Sequence, residues 1–229
     1  MKRIAIVAPL LLLCTAGAAC AQLGQSIFSV VVPYSGPTAP ALDGWAGFTN
    51  TSTSSMNLTL STTQTNDIIV LVCDNGGNSV TAVSTSGLTW VNRTPAGAIG
   101  FMDEWYAKSS GTLSSATIAV TFSYDNYVTC TAFGVSGANY TTPFDTNSAV
   151  PSYASAVSTT YSTDNAADFV FAVTGSGATV APGGPTGFTS FGTGAFYLSG
   201  GWLQTSSTQS GTTVNGAIYT NHILVDAIQ

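Results

Sequence analysis

The sequence is short of charge, and above all of positive charge. Its 229 residues hold four Lys or Arg against ten Asp or Glu, so that charged side chains make up only 6% of the chain. Two of the four basic residues, Lys2 and Arg3, precede an apolar run from Ile4 to Leu13 and small residues ending Ala19-Cys20-Ala21. That is the layout of a secretory signal peptide. The apolar run is too short to cross a bilayer, and a lipoprotein site at Cys20 would place Gly17 where a branched apolar residue is expected. With residues 1–21 read as the leader, Arg93 and Lys108 face ten acids, a formal charge of −8. Such a chain has too few cations to bind nucleic acid by neutralising phosphates or to attach to an anionic membrane surface. The expected location is therefore extracellular or at a cell surface.

Catalytic and metal-binding side chains are equally scarce. His222 is the only histidine and Glu104 the only glutamate. Gly134-Val135-Ser136-Gly137-Ala138 approaches a nucleophile elbow, but it ends in alanine and opens no helix. Glycoside cleavage needs two carboxylates facing each other across a sugar. Asp103 and Glu104 are adjacent, and neighbours on a strand point to opposite faces. One histidine and two cysteines do not make a zinc site. The reading is of a protein that is not an enzyme and carries no cofactor.

Cysteine is also scarce. Cys14 and Cys20 fall in the leader, which leaves Cys73 and Cys130, 57 residues apart and each within a predicted strand. In an oxidising compartment a disulfide between them is the expectation, with two buried free thiols as the alternative. Closing a loop of that length would contribute about 3–4 kcal/mol.

No window sustains a helical period, whereas β-branched and aromatic residues abound between turn residues. Asn66-Asp67-Ile68-Ile69-Val70-Leu71-Val72-Cys73 reads as a central strand buried on both faces. Met56–Leu60 and Ala116–Phe122 alternate as half-buried strands do. Further strands are expected over Ser79–Val83, Leu88–Val91, Gly100–Ala107 and Tyr127–Val135. The pattern then returns. Ala167–Val173 repeats the central strand, Thr186-Gly187-Phe188-Thr189 repeats Ser86-Gly87-Leu88-Thr89, and Phe196-Tyr197 is matched to Trp105-Tyr106, at offsets of 101, 100 and 91. The expected fold is an all-β, two-sheet antiparallel β-sandwich of jelly-roll-like form with two weakly similar halves. Residues 56–229 form the sandwich and residues 22–55 an N-terminal strand with a connecting loop.

In order, Asn66-Asp67-Ile68-Ile69-Val70, Gly87-Leu88-Thr89-Trp90, Trp105-Tyr106-Ala107-Lys108, Val135-Ser136-Gly137 and Pro143-Phe144-Asp145 resemble the jelly-roll-like modules of secreted bacterial surface proteins and of phage tail or fibre proteins. The resemblance spans roughly residues 56–228 and rests on structural punctuation. It implies a building block or adhesive module.

Three candidate sites follow. The first is the apolar segment Ser26–Val32, whose Ile27, Phe28, Val30, Val31 and Val32 either close an edge of their own sandwich or pair with a second copy by strand addition. The second comprises Trp45 and Trp202, which stand in glycine-rich stretches and are candidate stacking platforms for a glycan. The third is a structural calcium held by Asp74, Asn75 and Asp125, although these residue types are also ordinary turn formers. Asn50, Asn57, Asn92 and Asn139 begin N-glycosylation sequons. The function expected is a secreted structural or adhesive subunit of a cell surface or extracellular fibre, self-associating through its N-terminal strand. The alternative is a monomeric extracellular glycan-binding module.

Overall fold

The computed structural model describes residues 39–176 and 180–229, and among them there is no helix. Residues 1–21, read above as a leader, and the segment Ser26–Val32 lie outside the described residues. The first half contains β1 (Ala41–Thr51), β2 (Ser55–Leu60), β3 (Asp67–Asp74), β4 (Val80–Ser84), β5 (Trp90–Asn92), β6 (Met102–Ser109), β7 (Ala116–Phe122) and β8 (Val128–Ser136). The second contains β9 (Ser152–Ala154), β10 (Ser158–Tyr161), β11 (Phe169–Gly175), β12 (Thr189–Ser190), β13 (Leu198–Gln204), β14 (Thr212–Asn215) and β15 (His222–Ile228).

Two five-stranded sheets, β1-β8-β3-β6-β5 and β9-β15-β11-β13-β12, form the inner layers. The smaller sheets β2-β7-β4 and β10-β14 cover them from outside. All named pairings are antiparallel. The strand orders 1-8-3-6 and 2-7-4 of the first half are those of a jelly roll, with β5 moved to the edge of the inner sheet.

Strand pleating explains the layering. Successive side chains leave a strand on opposite faces. Ile69, Leu71 and Cys73 of β3 pack with Leu58, Leu60, Ile118 and Val120 of the outer sheet. Ile68, Val70 and Val72 join Phe133 and Val135 against Phe169, Phe171 and Val173 of the other inner sheet. Val170 and Ala172 of β11 close a third core with Tyr161 and Val214. The molecule is thus two β-sandwiches back to back, and β3 from Ile68 to Cys73 and β11 from Phe169 to Val173 are apolar on both faces because each serves two cores.

The halves repeat each other strand for strand. Leu60 pairs with Ala116 as Tyr161 pairs with Thr212, and Ile68 faces Val135 as Phe169 faces Ile228. Even the β1 position recurs, since Leu42 faces Val135 and Phe144 bridges Ile228. One sequence match needs correction. Val70 pairs with Tyr106 and Phe171 with Trp202, so the counterpart of Tyr106 is Trp202, while Phe196-Tyr197 lie before β13. The second half also lacks a β4. In its place residues 180–186 run beside the end of β14, joined by the Gly183 amide to the Ile218 carbonyl and the Thr186 amide to the Asn215 carbonyl. Pro182 and Pro185 remove the amides a regular ladder would use.

A second correction concerns residues 41–51, read above as part of a connecting loop. They form β1, which pairs along β8 with two irregularities in register. Gly44 and Gly47, at φ +110° and +82°, bend the strand there and blur its alternation.

Candidate functional site

The acids behave unlike those of an ordinary acidic protein. Eight of the ten are buried, and only Asp125 and Asp164 are exposed. Four of them form a duplicated device at the end where β3 and β11 begin. Asp43 accepts the Thr63 and Gln64 amides at 2.9 and 2.7 Å and the Thr63 hydroxyl at 2.5 Å. Burial opposes its charge, but these donors outweigh burial and hold the carboxyl below its ordinary value. Asp145, its counterpart, accepts the Asp164, Asn147 and Asn165 amides within 2.8–3.0 Å and is likewise held low. Asp67 and Asp168, in contrast, have no hydrogen-bond partner on either carboxyl oxygen. Burial pushes them up to about 6 and about 7, and the neighbouring charges of Asp43 and Asp145 add to the rise. Each half therefore holds, at the same place, one carboxyl held below its ordinary value and one pushed above it.

A further acid group joins the two inner sheets. Arg93 donates from Nε to Asp226 Oδ2 and from Nη2 to Asp226 Oδ1 at 3.0 Å, and lies 3.8 Å over the Phe144 ring. Glu104 Oε1 is 3.8 Å from the same Nε and completely buried. Burial, then the Asp226 charge, raises Glu104 well above its ordinary value, against the pull of the Arg93 guanidinium.

Cys73 and Cys130 stand opposite each other on β3 and β8 and are joined in a disulfide. Ser136 ends β8 beside Ala41, whereas His222 begins β15 opposite Gly175, at the other end of the sheets. The two do not meet. Asp103 accepts the Asn75 side-chain amide and the Val80 amide at 2.7 and 2.6 Å and, like Glu104, faces the interior. Of the calcium candidates Asp74, Asn75 and Asp125, Asp74 accepts the Gly76 amide at 3.3 Å. Asp125 caps the Ser54 amide, Asn75 serves Asp103, and among the described residues no group of three or more His, Cys, Asp or Glu is placed to hold a metal.

The glycine-rich setting of Trp45 and Trp202 does not free them from regular strands. Trp45 lies on β1, donates to the Thr131 hydroxyl at 2.8 Å and presses on Gly192, where an added Cβ would come within 2.2 Å of the ring. Trp202 lies on β13, stacked on Phe169 at 5.4 Å. Both pack against the central core and are partly exposed. All four sequon asparagines are exposed.

The loops at the end where β3 and β11 finish carry what the sequence left unassigned. Ten large apolar or aromatic side chains are exposed, and nine of them belong to these loops: Ile99, Phe101, Tyr124, Tyr127, Val157, Val180, Phe196, Ile218 and Tyr219. An isolated exposed hydrophobe is unremarkable, but a gathering at one end marks an interaction surface. Beneath it, His222 Nδ1 meets the Tyr153 hydroxyl at 2.9 Å and its ring stacks on Phe101 at 5.2 Å. Burial lowers the His222 pKa, which keeps the ring neutral. Asp74 lies against Gly175 and is pushed up to about 8 by burial. A cleft of about 220 Å³ opens above, lined by Gly76, Asn126 and Tyr127 of the first half and by Ser176 and Tyr197 of the second. A larger hollow of about 570 Å³ lies at the opposite end, lined by Ala39, Pro40, Gly137–Asn139, Asn165–Ala167 and Gln229. Sequence reading missed the aromatic end because its residues lie in turns, outside the strand periodicity. Its available signal was aromatics placed inside turn clusters, as in Tyr124-Asp125-Asn126-Tyr127.

Fold and disulfide define an all-β, disulfide-bridged protein of two back-to-back jelly-roll sandwiches. No family model, curated protein or solved structure matches the chain. Among the described residues no helix is long and apolar enough to cross a membrane.

Proposed function

We propose that the chain is a secreted, non-catalytic subunit of a cell surface or extracellular fibre, structural or adhesive in role. The observation that carries this reading is the burial of eight of ten acids, which leaves a hydroxyl-rich surface with almost no charge. Charged edge residues normally suppress strand-edge pairing between molecules, and the edge strands β1 and β9 present no exposed charge, since their one acid, Asp43, is buried. A disulfide is compatible with an oxidising, extracellular setting. The segment Ser26–Val32 supplies an apolar donor strand immediately upstream of the described sandwich. The test is light scattering with negative-stain microscopy on the secreted chain and on a variant lacking residues 22–33. Ordered assemblies that the deletion abolishes support the reading, whereas a monodisperse monomer from both chains refutes it.

A further inference from the structure

We propose that the cleft between the two halves, walled by Tyr127 and Tyr197, is a subsite for one ring of a neutral glycan. The proposal specifies an adhesive role but does not depend on self-association. Tyr127 comes from the turn before β8 and Tyr197 from the segment entering β13, so the site exists only because the two halves are joined. The ring centroids are 6.5 Å apart and the planes are inclined at 43°, so the two rings stand side by side as adjoining walls, too close for a sugar to enter between them. Tyr127 is 55% exposed. A volume of about 220 Å³ equals roughly seven waters, which suits a single pyranose ring and is smaller than pockets for drug-sized molecules.

The chemistry of the lining selects the class of ligand. A pyranose has an apolar C–H face that rests on an aromatic face and a rim of hydroxyls that needs donors and acceptors. The phenol rings supply the first. The two phenol hydroxyls, the Gly76 carbonyl and the Asn126 amide supply the second. Asn126 is held in place as Nδ2 donates to the Gly76 carbonyl at 3.3 Å and Oδ1 accepts the Tyr127 amide at 2.8 Å. Neither Arg nor Lys lines the cleft, so an anionic sugar would find no counter-charge. The acid underneath, Asp74, is 2% exposed and offers little to a cation. Phe101, Tyr124, Phe196 and Tyr219 on neighbouring loops would meet the residues that continue the glycan.

Affinity gel electrophoresis of the secreted chain tests this, with dextran, hydroxyethylcellulose or galactomannan in the gel and polygalacturonate as the charged comparison. At least one neutral polymer is expected to retard the protein. Tyr127→Ala and Tyr197→Ala should each weaken that retardation at least tenfold, and Tyr127→Ala should do so with an unchanged melting temperature. No retardation by any neutral polymer overturns the proposal. So does retardation by polygalacturonate alone, or retardation that survives both tyrosine variants but is lost in Trp45→Ala or Trp202→Ala. Loss of assembly in the strand deletion would leave this result unmoved, so the two proposals fail separately.

Discussion

Arg93 is the one cation that reaches the interior among the described residues, and it holds two carboxyl groups of different halves. Removing a partner from such a group costs more than the group contributes, because a buried charge is left behind. Arg93→Met is therefore expected to destabilise the fold by about 3–5 kcal/mol, since Asp226 would remain buried without its counter-ion. Glu104→Gln should cost far less, because burial already disfavours the Glu104 charge. Chemical denaturation of the two variants measures the contrast, and equal losses would show that Glu104 is ionised. None of this was legible in the sequence. Asp103-Glu104 is a strand dipeptide there, and nothing in it points to Asp226, which lies 122 positions further on.

Asp67, Asp168 and Asp74 set a pH dependence whose sign follows from their raised values. The native state retains protons that the unfolded chain releases near 3.8. Their contribution is fully present below that value and is lost as pH rises through about 6, 7 and 8. Asp43 and Asp145, held low, act in the opposite sense and lose their contribution only below about 3.8. The melting temperature should therefore be higher at pH 4.5 than at pH 8.5, by at least about 5 °C for a chain of this size. Asp67→Asn combined with Asp168→Asn should flatten that slope, and a melting temperature that rises with pH would contradict the assignment.

At the scale of the element, β3 is where sequence and structure agree most closely. Its unbroken apolar run predicts burial on both faces, and all eight residues from Asp67 to Asp74 are buried. The disulfide ties β3 to β8, and replacing Cys73 and Cys130 by Ser is expected to lower stability by about 3–4 kcal/mol and to steepen the denaturant slope, because the unfolded chain is no longer held compact. β11 ends differently. Gly175 stands where β3 has Asp74, and a Cβ there would approach Asp74 Oδ2 to 2.2 Å. Gly175→Ala should cost about 1–3 kcal/mol through overpacking, while Gly111→Ala, with nothing within 4 Å, serves as the neutral comparison. Equal melting temperatures would show that Asp74 moves aside freely. Broken periodicity hides β1 from the sequence, because Gly44 and Gly47 interrupt its alternation. Residues 180–186 form no strand, as their two prolines lead one to expect.

For the whole molecule, the decisive feature is the separation of its two ends. One end carries the duplicated acid pairs Asp43 with Asp67 and Asp145 with Asp168, and the other gathers the exposed aromatics. Since Asp125 and Asp164 are the only exposed acids among the described residues, ionic strength has few surface charges to screen. The proposed assembly should therefore change little between about 50 and 500 mM salt. Dissociation by salt, followed by light scattering, would mean that charge pairs hold the subunits together.

The sequence by itself determined the all-β class, the two related halves, the central strands and the cysteine pair. Each of these is written in local periodicity or in composition. Only the tertiary structure decided that the halves are separate sandwiches packed back to back, that most acids lie inside, and that Tyr127 meets Tyr197. Those facts depend on pairings between residues tens to more than a hundred positions apart. A strand's alternation says that it has a buried face, but not which other strand covers that face.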